Sequence, residues 1–201
     1  MAIHRENFFI NLFENTVYPS LDEVMSEDEM AALTHTDMNT KCRYLREKVQ
    51  LCTSNPAMFD RIRIQVRRDD VLEDSFQNLN ALLRGHRKYC PLNVIFEGES
   101  AVDAGGLTRE FFSIISNKLV DPSKNLFKSQ DNVAFQPDGW SSELPDCDEY
   151  FKFIGRLVGK AIANGENLDS LVFTTPFLKH IIGTPPSLTY LLTHYHSLIY
   201  T

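Results

Sequence analysis

Residues Arg61–Arg68 read RIRIQVRR, an alternation that leaves the chain little choice. Ile62, Ile64 and Val66 fall on one side of an extended backbone and Arg61, Arg63, Gln65 and Arg67 on the other, the period of a strand with one buried and one wet face. Asp70 follows, with Glu73 three positions on, so the pair predicts a capping box opening a helix. Leu72, Phe76, Leu79 and Leu83 supply its apolar stripe and Gly85 its stop. LNVIF, Leu92–Phe96, reads as a second short strand.

Downstream the helical period dominates. EGESAVDAGG is a turn-rich loop, and Leu107–Val120 places Phe111, Phe112, Ile115 and Leu119 on one face before Asp121-Pro122 ends the helix. NLFKSQDNVAFQP predicts a small hairpin turning at Asp131-Asn132. A loop through Trp140 and Pro145 leads to a helix over Glu149–Asn164, with Tyr150, Ile154, Leu157 and Ala161 inward and Gly165 as its stop. Pro176 after Thr175 opens another short helix that ends at Gly183, and Ser187–Thr201 reads as helical.

Upstream, Asn7–Thr16 carries an apolar cluster read as a surface helix. Asp22, Glu23, Glu27, Asp28 and Glu29 follow without a lysine or arginine and read as a solvated linker. From Asp37, Cys42, Leu45, Val49 and Cys52 recur at helical spacing up to a stop at Ser54-Asn55-Pro56. The expected fold is α+β, predominantly helical, with a few short strands that do not alternate regularly with helices as a parallel α/β fold requires.

Charge narrows the function. A formal net charge of −7 argues against a general grip on nucleic acid or an anionic membrane, since both need clustered positive charge. No apolar run approaches the roughly 20 residues of a membrane span, and MAIHRENFFINLFENT lacks the unbroken apolar core of a signal peptide, so a soluble intracellular protein is expected. Cys42, Cys52, Cys90 and Cys147 are scattered without CxxC pairs, which points to reduced thiols in the cytosol or nucleus and away from zinc or disulfides.

Four segments in order carry more information than any one of them: IRIQVRRDDVLEDSF (Ile62–Phe76), VIFEGESAVDAGGLTREFF (Val94–Phe112), FKFIGRLVGKAIANGENLD (Phe151–Asp169) and FTTPFLKHIIG (Phe173–Gly183). Together they resemble the N-terminal lobe of the HECT domain of ubiquitin-protein ligases, over about Asp37–Thr201. Residues 1–36 are expected to be a helical, acidic extension outside the resemblance, and 37–201 a partial lobe. The motif residues are Asp103, Gly105, Gly106, Arg109 and Glu110 in the second segment and Gly155, Arg156 and Gly159 in the third.

The chemistry of these motifs is structural. Gly105 and Gly106 open backbone angles closed to other residues where loop enters helix, and Asp103 and Glu110 place negative charge near the helix start. A phosphate cradle is a poor reading, because Glu97, Glu99 and Asp103 repel anions and neither GKS/GKT nor GxGxxG is present. Gly155 and Gly159 share a helix face at a cost of about 1 kcal/mol each relative to alanine, so a close neighbouring helix is expected there. Lys152, Arg156 and Lys160 exclude a lipid setting for that pair. An ion pair between Arg156 and Glu110 is expected, since both sit in apolar helices.

The resemblance implies ubiquitin accepted from a conjugating enzyme as a cysteine thioester and passed to a substrate lysine. It also implies that the catalytic cysteine and the conjugating-enzyme site lie beyond Thr201. No catalytic residue is carried over, no cofactor is implied, and the chain alone is expected to be inactive, with exposed apolar residues such as Leu191 and Leu192 promoting association. Cys42 and Cys52 read as apolar helix positions, Cys90 precedes a strand, and Asp146 and Asp148 should raise the Cys147 thiol. Asp146, Asp148 and Glu149 read as helix-start residues rather than a carboxylate pair, and although His180, His194 and His196 gather near the end, the His194–His196 pair shows no third ligand at a spacing suited to metal. The alternative reading is a non-catalytic binding module or decoy derived from a HECT domain.

Overall fold

Alternation places Arg61–Arg68 as expected: Ile62–Val66 forms strand β1, with Ile62, Ile64 and Val66 buried and Arg63 and Gln65 exposed. The computed structural model describes residues 26–53, 61–82, 90–99, 105–184 and 187. Strand β2, Leu92–Phe96, pairs with β1 in parallel, Ile62 beside Leu92 through Val66 beside Phe96. Parallel neighbours need a crossover, and helix α3, Val71–Leu82, packs against β1 between them in sequence. This is the one parallel strand–helix–strand unit among the described residues, within a predominantly helical α+β fold as expected. The local pattern shows each strand separately but not the direction in which they pair.

Two helices precede the sheet. Helix α1, Glu27–Thr34, takes in Glu27, Asp28 and Glu29 of the expected acidic linker, whose Asp22 and Glu23 lie outside the described residues. Ser26 and Glu29 close a reciprocal capping box: the Glu29 N–H reaches the Ser26 Oγ at 3.3 Å and the Ser26 N–H reaches Glu29 Oε2 at 2.8 Å. The missing positive charge comes from helix α2, Met38–Thr53, whose Lys48 Nζ lies 2.7 Å from Glu29 Oε1 while the Tyr44 hydroxyl donates to the same oxygen. Hydrogen bonds from Lys48, then Tyr44, then the Ser26 backbone hold the Glu29 carboxyl down to about 2. Asp37 caps α2 through the Thr40 N–H at 3.0 Å. On α2, Cys42 is exposed rather than apolar filler, and Leu45 is half-buried.

The capping box expected at α3 does not form, because both carboxylates are engaged elsewhere. Asp70 pairs with Arg67 at 2.6 Å, and Glu73 pairs with Lys124. Helix α4, Gly106–Leu119, packs on β2 and α3 through Phe111, Phe112, Ile115 and Leu119, all fully buried. A 3₁₀ turn, Pro122–Lys124, follows. The expected hairpin is present as β3, Phe127–Ser129, antiparallel to β4, Phe135–Pro137. Asp131 Oδ1 accepts from the Val133 and Ala134 N–H groups, and Asn132 takes φ 58°. Across its other edge β4 meets Phe173: the Phe135 N–H reaches Val172 O at 2.7 Å and the Thr174 N–H reaches Phe135 O at 2.9 Å.

Helix α5, Cys147–Asn164, starts two residues before the expected point and stops at Gly165, φ 71°. There the Gly165 and Glu166 N–H groups return to the Ile162 and Ala161 carbonyls. Asp146 stands at its cap in a left-handed conformation without a side-chain cap bond, so of the expected helix-start residues only Asp148 and Glu149 sit in the first turn. Helix α6, Thr175–Ile181, is capped by Thr174, with Pro176 in its first turn and Gly183 beyond its end at φ 70°. Phe96, Phe111, Phe112, Phe151 and Phe153 are all fully buried, each contributing about 1.5–3 kcal/mol of burial relative to exposure. Among the described residues no helix is long and apolar enough to cross a membrane. The segment Asn7–Thr16, the stops at Ser54–Pro56 and Gly85, and the helix expected beyond Ser187 lie outside the described residues.

Candidate functional site where two signature segments meet

The loop-to-helix signature acts through one glycine. Gly105 caps α4 at φ 102°, a conformation L side chains rarely adopt, whereas Gly106 is already helical and needs no such freedom. Arg109 and Glu110 follow on the exposed side of the first turns. Glu110 does not pair with Arg156. Its carboxylate is held by Arg68 instead, Nη1 to Oε1 at 2.7 Å and Nη2 to Oε2 at 3.1 Å. That guanidinium also takes Glu99, Nη2 to Oε2 at 3.2 Å, and lies 4.0 Å from the centroid of the Phe96 ring. The Arg68 hydrogen bond holds the Glu110 carboxyl below its usual range. One arginine at the end of β1 thus ties the exit of β2 to the start of α4.

The third segment behaves differently. Gly155 and Gly159 are buried on α5, the helix against which α2 and α3 pack, so the notched face turns inward. Arg156 donates to Asn80 Oδ1 on α3, which explains why it is unavailable to Glu110. Lys160, read from sequence only as a charge unsuited to lipid, is buried, and its Nζ donates to the Cys90 carbonyl before β2. Burial pushes its ammonium down to about 8. The signal was present: Phe153, Leu157 and Lys160 share one helical face.

The two segments converge at their ends. A cleft of about 390 Å³ is lined by Gly106, Arg109, Glu110 and Ser113 of α4 and by Gly165, Glu166, Asn167 and Asp169 after α5. Its three carboxylates against one arginine suit a polar contact rather than an anion. Its lining includes neither a cysteine nor a histidine, so the arrangement offers recognition and positioning rather than nucleophilic chemistry. Asp103 lies outside the described residues.

Two of the four cysteines are no better placed for attack. Cys90 and Cys147 are buried, and burial pushes the Cys147 thiol up, with the Asp148 charge adding to it and a Ser141 hydrogen bond opposing. The direction expected from its acidic neighbours is correct, but desolvation is the larger cause. His180 is half-buried with its Nδ1 lacking a hydrogen-bond partner, while His194 and His196 lie outside the described residues. Among the described residues no three His, Cys, Asp or Glu side chains gather as metal ligands do.

The sequence has relatives. A family model described as HECT-domain (ubiquitin-transferase) matches residues 113–200. An E3 ubiquitin-protein ligase TOM1-like from Neurospora crassa is 40% identical over 131 residues, 64% of this chain and 3% of that protein. E3 ubiquitin-protein ligase UPL2 from Arabidopsis thaliana is 38% identical over 170 residues, 82% of this chain and 4% of the relative. E3 ubiquitin-protein ligase HUWE1 from Mus musculus is 36% identical over 149 residues, 73% of this chain and 3% of the relative. The chain thus spans 3% to 4% of the length of these three relatives. With the family model, these relatives and a helical α+β unit in agreement, the chain carries HECT-domain sequence over residues 113–200 and is similar to ubiquitin-protein ligases over much of its length.

Proposed function

We propose that this chain is the scaffold portion of a HECT-type ubiquitin-protein transferase, which takes ubiquitin from a conjugating enzyme as a cysteine thioester and delivers it to a substrate lysine. The observation that carries the reading is identity of 36% to 40% with ubiquitin ligases across 64% to 82% of the chain. The transfer needs a thiolate that attacks the conjugating enzyme's thioester, expels its thiol, and then yields the acyl group to a lysine amine, forming an isopeptide bond. A buried thiol pushed up, as at Cys147, is poorly suited to that attack. The reading therefore places the reacting cysteine and the conjugating-enzyme site outside residues 1–201 and the work in the cytoplasm or nucleus.

The test is a thioester assay with ubiquitin-charged conjugating enzyme. The 201-residue chain alone should form no ubiquitin adduct sensitive to thiol reductant, and the same chain extended through a HECT C-terminal lobe should form one. An adduct on the short chain overturns the placement of the cysteine. An extended chain that binds charged conjugating enzyme yet never forms an adduct replaces the transferase with a non-catalytic binding module, the reading that the buried Cys90 and Cys147 would then favour.

A further inference from the structure

The arginines of β1 divide into two groups. Arg67 is neutralised by Asp70 at 2.6 Å and Asp74 at 2.7 Å, and Arg68 by Glu99 and Glu110. Arg61 and Arg63 are exposed, and among the described residues no carboxylate reaches either. The backbone divides the same way. In the parallel ladder the Ile62 N–H reaches Pro91 O at 2.9 Å and the Glu97 N–H reaches Val66 O at 3.0 Å, so Ile62, Ile64 and Val66 face β2. By the alternation of a strand, the N–H and C=O groups of Arg63 and Gln65 point to the opposite edge, where no described residue pairs with them. The next outward N–H, that of Arg67, is taken by Asp74 Oδ2 at 2.7 Å, which ends the open stretch.

We infer that this edge of β1 is a docking strip for an extended acidic peptide of another protein, which adds as a strand beside Arg63 and Gln65 and places carboxylates against Arg61 and Arg63. Backbone pairing supplies the grip and the two guanidiniums the selection. The same charges disfavour a second copy of this chain, because pairing like edges sets arginine against arginine. Nucleic acid would match the guanidiniums but leave the outward N–H and C=O groups without strand partners, and the chain's charge of −7 opposes it. The inference does not rest on ubiquitin transfer.

The probe is a fluorescein-labelled peptide in which glutamate alternates with valine, titrated into the full chain with amide hydrogen exchange followed in parallel. Binding is expected with new protection at the Arg63 and Gln65 amides. It should weaken at least about tenfold in R61E/R63E, which turns two exposed attractions into repulsions. A peptide N-methylated at its inward-facing amides should lose binding to the unaltered protein, and a lysine–valine peptide should not bind. Binding that leaves the two amides unprotected, or that survives R61E/R63E or N-methylation unchanged, overturns the strand-addition model. Protection of both amides before any peptide is added shows the edge already occupied and overturns it equally.

Discussion

Helices α4 and α5 both carry signature segments, and they treat charge in opposite ways. At the start of α4, Arg109 and Glu110 stand in the open, lining a polar cleft. On α5, Gly155, Gly159 and Lys160 are buried, and Arg156 is turned to Asn80 of the neighbouring helix. Two motifs that look equally polar on paper therefore do different work. The α5 motif is a packing device, and the α4 motif is a surface held in place from behind by Arg68.

The sharpest way to break this contrast is to damage α5 at its most buried point. Phe153→Ala should lower stability by about 3–5 kcal/mol, read as a fall in the urea midpoint with the slope unchanged. Phe153 is fully buried and meets Phe76 edge-on at 5.7 Å between ring centroids. A loss within experimental error would mean that α5 does not organise the core.

Lys160 offers a second test, through pH. Its ammonium titrates near 8 in the folded chain and near 10.5 in the unfolded one, so between those values the unfolded chain binds more protons and stability rises with pH. By linkage the rise amounts to about 3 kcal/mol at most, and Lys160→Met should abolish it. Urea melts from pH 7.5 to 10.5 on both proteins would measure the slope, and an identical slope in the variant would show that the lysine is not the source.

Gly155→Leu should cost about 1–3 kcal/mol through overpacking, despite the better helix propensity of leucine. Thermal melts would show this as a lowered midpoint, and an unchanged midpoint would mean open space beside the notch. The smallest effect belongs to α4: Arg109→Ala should stay within about 0.5 kcal/mol of the parent, as exposed substitutions usually do. If Arg109→Ala instead matched Gly155→Leu in a side-by-side denaturation series, the division between packing helix and presenting helix would fail.

Acid separates the two ends of the molecule further. Glu29 is held down to about 2, so the stability it contributes is complete above its ordinary value of 4.5 and is lost as the pH falls toward 2. The α1–α2 tie should therefore release between those values, visible as separate loss of Glu29 and Tyr44 contacts by nuclear magnetic resonance while the Phe111 and Phe151 core persists. Simultaneous loss of both would show that the first helix is not an independent tie.

Much of the secondary structure was legible because its causes are local. The alternation at Ile62–Val66 is a period of two, the stripes of α4 and α5 recur at helical spacing, and Asp131-Asn132 and Gly165 are turn and stop residues whatever surrounds them. Failures occurred where a local rule met a distant partner. Asp70 and Glu73 have the spacing of a capping box, yet Arg67 and Lys124 draw them away. The acidic run before Thr34 looked like linker because its balancing cation, Lys48, sits on the next helix.

The candidate site was legible in its membership but not in its assembly. Its residues stood in two recognisable segments, and from sequence the natural pairing was between their buried-looking charges, Glu110 and Arg156. Sequence alone determined which residues would be extended, helical or turning, because those preferences act over a few neighbours. Tertiary structure decided which charges met and which were hidden: Arg68 with Glu110 across 42 residues, Lys160 with the Cys90 carbonyl across 70, and Arg156 with Asn80 across 76. Such pairings depend on which faces the packed core brings within hydrogen-bond reach, a distance set by the whole fold and written in no single stretch of it.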